Sequence, residues 1–467
     1  MNSKYDVNEM YDRHAEGELH LPSLLTHLGE RSLYDAVSQC SRCGYCETVC
    51  PTYMLTGREP ISARGRNQLV RMSMEGRLGG AAAAAGEALD TCLLCGACSE
   101  ACFAKVPTAD IVLEGRRAAL GPSPRLIPSL LSRLMLDRPG LFAFLLKFGA
   151  LARLTGLPRL AGKLGLFRML GLAPLEKAER EAPRMPFAFL AGKLSADPEL
   201  AAAPGGPAPA WAYFAPCGPN YLFTAVGEAT VALLKRFLGK GLFFHNNCCG
   251  LLAYNYGDIR HAREFARRNI KKYEELKEKH GELKVIGDCS SCTAFMKTYE
   301  QLFTAEPEWR ARAAAFAAAV RDAIEAVPST AMTHAPREAL AGAGRITYHD
   351  SCRACHGQGI RKEPREALRT LAGKNFVELP ESDWCCGGAG AYSFTQPEMS
   401  ERILRRKTAN IASVRADTVA VGGTSCLLQI NAGLKRDYPR AKAVHYTQLL
   451  ERLTRPPAKQ PPPNATI

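Results

Sequence analysis

The sequence has no apolar run near its start, no uncharged, proline-free stretch long enough to cross a bilayer, and no complete nucleotide-binding glycine fingerprint. The first twenty residues, MNSKYDVNEMYDRHAEGELH, lack the hydrophobic segment of a secretory signal, so the chain is expected in the cytoplasm with its thiols reduced. The longest uncharged stretch, 200–227, is interrupted by Pro204, Pro207, Pro209, Pro216 and Pro219, which a spanning helix of about 20 residues would not tolerate together. GGAGAY (387–392) and GAGR (342–345) lack the third glycine and the phosphate-binding context of G-x-G-x-x-G. No flavin or nicotinamide site is therefore read in this chain.

What is present is cysteine. Eighteen of 467 residues are Cys in a chain that is 46% hydrophobic and 23% charged, enough to bury a core and long enough for about three domains. In a reducing compartment so many clustered thiols point to metal rather than to disulfides. The net charge of +14 is unevenly placed: Gly121 to Leu175 carries eight Lys or Arg against one acid and is rich in Leu and Phe. A basic, apolar segment of this kind suits a membrane surface or an acidic partner better than nucleic acid, and its bland alternative is a set of solvated connecting helices.

Two cysteine runs follow the acidic start. The first is Cys40-x2-Cys43-x2-Cys46-x3-Cys50-Pro51; the second is Cys92-x2-Cys95-x2-Cys98-x3-Cys102, with Phe103 where the pattern usually has proline. Three thiolates at this spacing wrap one cubane, while the fourth, set beyond the next turn, points to the neighbouring cluster. One 4Fe-4S cubane is thus assigned to Cys40, Cys43, Cys46 and Cys102, and a second to Cys92, Cys95, Cys98 and Cys50. Zinc fits four cysteines in eleven residues poorly.

The second half is an internal repeat. Cys217 and Cys352 are 135 residues apart, Cys248 and Cys385 are 137 apart, and Cys289 and Cys426 are 137 apart. Each repeat sets cysteines after short strand-like runs (AWAYFAPC, RITYHDSC, KVIGDC, TVAVGGTSC) that alternate with helical stretches such as 258–280 and 396–414. Parallel α/β sheets are expected, with the cysteines gathered at the carboxyl edge. The first repeat offers Cys217, Cys248, Cys249, Cys289 and Cys292; the second offers Cys352, Cys385, Cys386 and Cys426, with Gln429 where a fifth cysteine would stand. Five soft ligands at one edge favour an unusual iron-sulfur cluster, with zinc or redox thiols as alternatives. Cys355 is the candidate substitute in the second repeat, and His349 and His356 are read as hydrogen-bonded structural residues.

CGYCETVCPTY with ARGR (63–66), YHDSC, CCGGAGAYSFTQPE, GGTSCLLQI and DCSSCTAFMKTYEQL (288–302) together resemble the heterodisulfide-reductase-related iron-sulfur family, over about Tyr34 to Leu453. That family includes the iron-sulfur subunits of glycolate oxidase and of D-lactate dehydrogenases. The resemblance implies a multidomain α+β chain: a helical two-cluster ferredoxin-like domain followed by two repeated α/β CCG cysteine-rich domains. The expected division is a helical lead-in (1–35), the ferredoxin-like domain (36–120) and a basic amphipathic helical connector (121–206). CCG domain 1 (207–330), CCG domain 2 (345–455) and a disordered tail (456–467) follow.

The resemblance also implies a noncubane 4Fe-4S cluster in CCG domain 1. The function implied is electron transfer for a flavin-dependent glycolate or D-lactate dehydrogenase. A flavoprotein partner would supply the flavin, and electrons would pass toward a quinone-reactive or cytochrome membrane subunit, with the chain peripheral on the inner face of the cell membrane. The alternative is a heterodisulfide-reductase-like subunit of a membrane-bound redox complex, catalytic at the noncubane cluster. No catalytic residue is assigned from the sequence, and no nucleic-acid partner is expected.

Overall fold

The computed structural model describes residues 20–120, 126–169, 179, 183, 185–201, 208–333 and 335–455. The described part of the lead-in, expected to be helical, begins instead with a β-hairpin. Strand β1 (Leu24–Thr26) pairs antiparallel with β2 (Gly29–Arg31), and Gly29 takes a positive φ of 90° at the turn. Tertiary contact accounts for the difference: Leu24 is buried, and the Leu25 amide donates to Gln301 Oε1 at 2.7 Å, fixing the segment extended against the first repeat. Residues 1–19 lie outside the described residues, as do 202–207 of the expected linker and the whole expected tail, 456–467.

Residues 36–120 form the predicted helical region. Helices Ala63–Met74, Ala82–Asp90 and Thr108–Leu120 pack together through Val70, Leu89 and Ile111. Gly65 is required there, since a Cβ at that position would sit 2.0 Å from the Glu59 carbonyl oxygen. The connector contains helices Leu126–Asp137, Pro139–Leu154, Leu157–Lys163 and Leu166–Met169. Its last part is not separate: Leu190, Leu194 and Leu200 are buried against Trp211 and Tyr213, in the core of the first repeat.

Each repeat is a parallel sheet, as the alternation predicts. In the first, β3 (Trp211–Phe214), β4 (Gly241–Phe243), β5 (Lys284–Gly287) and β6 (Val320–Asp322) lie in the order β4-β3-β5-β6. In the second, β7 (Ile346–His349), β8 (Thr418–Val421) and β9 (Lys442–His445) lie in the order β7-β8-β9. The place of β4 is taken there by the segment at Phe376, which bridges to Ile346 in parallel, with the Val377 amide donating to the Ile346 carbonyl at 2.8 Å. The carboxyl edges of the two sheets meet. Ser290 donates to the Gly422 carbonyl from its amide at 3.2 Å and its hydroxyl at 2.8 Å. Gly218, one residue past Cys217, packs so closely that a Cβ there would lie 2.2 Å from Thr424 Oγ1.

Candidate iron-sulfur sites

The two ferredoxin-like runs share one backbone solution. Arg42 and Gly44 flank Cys43 with φ of 61° and 85°, and Leu94 and Gly96 flank Cys95 with φ of 54° and 84°. Left-handed residues on both sides of the middle cysteine curl each run into a tight wrap, which a helix could not provide. Cys50 then caps helix Pro51–Thr56, and Cys102 ends helix Ala97–Ala101, so each fourth thiol leaves its own turn.

The second wrap meets the fourth cysteine of the first. Cys50, Cys92, Cys95 and Cys98 line one small, partly open pocket together with Thr52, Arg66 and Leu94 among others. Four sulfurs around one space suit a cubane, and they are the set expected from crossed ligation. The Arg66 guanidinium is buried; it donates to the Ala88 carbonyl, Thr52 and Thr91 and places Nη1 3.9 Å from Cys50 Sγ. On the other side, burial pushes the Cys46 thiol up to about 11, with Cys40 and Cys50 adding to the shift. Cys43 is exposed, and the Phe103 ring packs edge-on against Tyr45, bringing the segment after Cys102 to the first run.

At the carboxyl edge of the first sheet, five thiols form a connected set. Cys217 meets Cys248, Cys248 meets Cys249, and Cys292 meets both Cys249 and Cys289. Cys249 is held below the usual thiol range by its contacts with Cys248 and Cys292, against the effect of burial. Gly250, with φ of 85°, lets the chain turn away, while Tyr299 donates to the Cys249 carbonyl at 2.7 Å and Asn269 to the Cys248 carbonyl at 2.9 Å.

The second sheet repeats the arrangement with four. Cys352 meets Cys385, Cys385 meets Cys386, and the Cys386 and Cys426 sulfurs are 3.4 Å apart. Gly387 (φ 82°) turns the chain and donates its amide to Cys385 Sγ, as Gly388 does to Cys386 Sγ, each at 3.4 Å. Cys355 is buried, its thiol turned toward the Cys352 carbonyl, 3.8 Å away, and pushed up by burial and by the nearby Cys352 thiol. His356 is hydrogen-bonded as expected, to Glu100, which Arg361 also binds at 2.6 Å. His349 is buried, its ring makes no more than a poorly aligned contact with the Ser382 backbone, and it lies with Cys386 and Cys426. Burial, with the Lys407 ammonium adding, depresses it to about 3 and keeps the imidazole neutral. Its position three residues before Cys352, at a strand end, was the signal in the sequence.

The sites are contiguous. The Cys95 thiol lies close enough to Cys352 and Cys385 to perturb both, and Tyr392 of the second repeat donates to the Thr91 carbonyl at 2.8 Å. Cys95 and Cys385 also line a common cleft with Pro51, His356 and Trp384.

A pair of cysteine wraps joined to a duplicated, cysteine-edged α/β sheet defines an iron-sulfur protein of the oxidoreductase class. The 4Fe-4S dicluster domain matches residues 36–106, and the CCG cysteine-rich domain matches 211–297 and 346–431. The chain is 28% identical over 457 residues to a probable glycolate oxidase iron-sulfur subunit of Bacillus subtilis, covering 95% of this chain and 96% of that one. It is 30% identical over 243 residues to lactate utilization protein A of Oceanobacillus iheyensis, covering 51% of this chain and 94% of the relative. The chain belongs to the heterodisulfide-reductase-related, CCG-domain iron-sulfur family.

Proposed function

We propose that this chain is the electron-carrying subunit of a flavin-dependent 2-hydroxy-acid dehydrogenase, acting on glycolate or D-lactate, with the flavin on a partner protein. The observation that carries the reading is the end-to-end correspondence with a relative named as a glycolate oxidase iron-sulfur subunit. Bound 4Fe-4S clusters would supply one-electron carriers. Cys40, Cys43, Cys46 and Cys102 would hold one cubane; Cys92, Cys95, Cys98 and Cys50 the other; and Cys217, Cys248, Cys249, Cys289 and Cys292 a noncubane cluster. The residues around them exclude water and place charge: Arg66 beside Cys50, and the buried Lys407, which donates to the Glu381 carbonyl at 2.6 Å, near Cys386. Cys95 against Cys352 and Cys385 supplies a short path between the ferredoxin-like region and the second CCG domain.

Electrons would leave toward a quinone or cytochrome at the inner face of the membrane. The connector supports this: Phe144, Phe148 and Leu154 are 61–71% exposed on a helix that also carries Lys147 and Arg153, with Arg138 just before it. No single helix among the described residues is long and apolar enough to span a membrane, and Pro139–Leu154 with Leu157–Lys163 is bent by 71°. Together the two helices have the length and hydropathy of a broken or re-entrant segment, and the exposed Lys147 and Arg138 beside the apolar face favour a place at the membrane surface. Co-purification with a flavoprotein having 2-hydroxy-acid:dye activity is the test; stable association with cytochromes alone contradicts the reading.

A second reading, disulfide reduction at the first CCG domain, draws on Cys217, which is exposed while Cys249, Cys289 and Cys292 are buried. Under it, the isolated chain reduces a small disulfide with an artificial electron donor, and Cys217→Ser abolishes this.

A further inference from the structure

The two CCG domains differ at two matched positions. Three residues before the first cysteine, domain 1 has Phe214 and domain 2 has His349; three residues after Cys289 and Cys426, domain 1 has Cys292 and domain 2 has Gln429. A sulfur is lost at one position and a nitrogen gained at the other. Gln429 does not replace the sulfur, because its Nε2 donates to Ser400 Oγ at 2.9 Å in a buried environment. Cys355 turns its thiol to the Cys352 carbonyl, and it is His349, not Cys355, that lies with Cys386 and Cys426.

His349 has the surroundings of a metal ligand. It is 1% exposed, and neither ring nitrogen makes a well-formed hydrogen bond; its contact with the Ser382 backbone is of the kind that orients a ligating imidazole. A ring nitrogen and the sulfurs of Cys386 and Cys426 all lie within 4.8 Å of one another, the one such group found among the described residues. The sulfurs, 3.4 Å apart, are near the separation of about 3.8 Å that two thiolates take on one tetrahedral metal. Asp350, the next residue, accepts a two-pronged bond from Arg365 at 2.9 and 2.7 Å, which fixes the strand end that presents the imidazole.

We propose that His349 is a metal ligand of CCG domain 2, binding a transition metal together with Cys386 and Cys426, its nitrogen standing in for the fifth thiolate that Gln429 withholds. One imidazole and two thiolates form a borderline-soft donor set. Iron is the expected metal, given Cys95 beside Cys352 and Cys385. A neutral nitrogen in place of a thiolate makes this centre one charge less negative than that of domain 1 and raises its potential relative to it. The proposal does not depend on which hydroxy acid, if any, the assembly oxidises.

The test uses the full chain purified anaerobically with ¹⁵N-labelled histidine. Pulsed electron paramagnetic resonance of the reduced protein is expected to show nitrogen coupling from one histidine that disappears in His349→Ala. Metal analysis of the same variant is expected to show the loss that Cys386→Ser causes, with the ferredoxin-like signals intact, and His349→Cys is expected to restore the metal without the nitrogen coupling. A zinc ion with one nitrogen and two or more sulfur neighbours by X-ray absorption would also support the ligand, with zinc instead of iron. All-sulfur coordination of every metal in the wild-type chain, with full metal content in His349→Ala, would overturn it. The wild-type spectrum decides the matter even if a variant fails to fold.

Discussion

The chain contains two duplications, and they have been kept differently. In the ferredoxin-like region both runs retain four cysteines and the same left-handed residues beside the middle one, Arg42 and Gly44 in one and Leu94 and Gly96 in the other. In the CCG pair the parallel strand order is retained, with a bridge at Phe376 where domain 1 has β4, yet the donors are not: Phe214 faces His349 in the alignment, Ala215 faces Asp350, and Cys292 faces Gln429. A repeat whose donors are fixed reads as two equal stations. A repeat whose fold is fixed but whose donors have changed reads as two stations with different chemistry.

The largest expected effect is on the first pair. Cys50→Ser should abolish the cluster held by Cys92, Cys95 and Cys98 while sparing the one beside it in sequence, because Cys50 lines the cavity of the second wrap. Spectra that lose only the cluster of Cys40, Cys43 and Cys46 would reject crossed ligation. In the CCG pair, Cys249→Ser should remove about four irons and a species distinct from the cubanes. A spectrum unchanged by Cys249→Ser would leave domain 1 without the cluster assigned to it.

Smaller effects probe the surroundings. Asp350→Asn takes from Arg365 the buried one of its two carboxylates, leaving Glu378, and should cost domain 2 about 1.5–3 kcal/mol in denaturant unfolding, whereas domain 1, with Ala215 there, has no such pair to lose. A cost below about 1 kcal/mol would mean that the pair is solvated like a surface bridge. Arg66→Gln should lower the potential of the cluster near Cys50 by an amount on the order of tens of millivolts and leave the other cubane nearly unchanged, since only one wrap contains this cation. Equal shifts in both clusters would contradict the placement of Arg66 at one of them.

Much of this was legible in the sequence, because cysteine spacing and strand-helix alternation are local signals. The runs at Cys40 and Cys92, the duplication, the parallel sheets and the gathering of thiols at their carboxyl edges all follow from such patterns. What escaped depends on distant contacts. The Leu24–Arg31 hairpin is held by Gln301, some 276 residues from Leu25 in sequence. The end of the connector joined the first repeat because Leu190 and Leu194 complete the core around Trp211. His349 read as an ordinary structural histidine because its approach to Cys386 and Cys426 depends on residues far along the chain.

The account stands most directly on iron. Full-length chain purified anaerobically should contain at least about twelve iron atoms and a matching amount of acid-labile sulfide, eight in the two cubanes and four in the first CCG domain. One or two zinc atoms with no iron and no sulfide would contradict it.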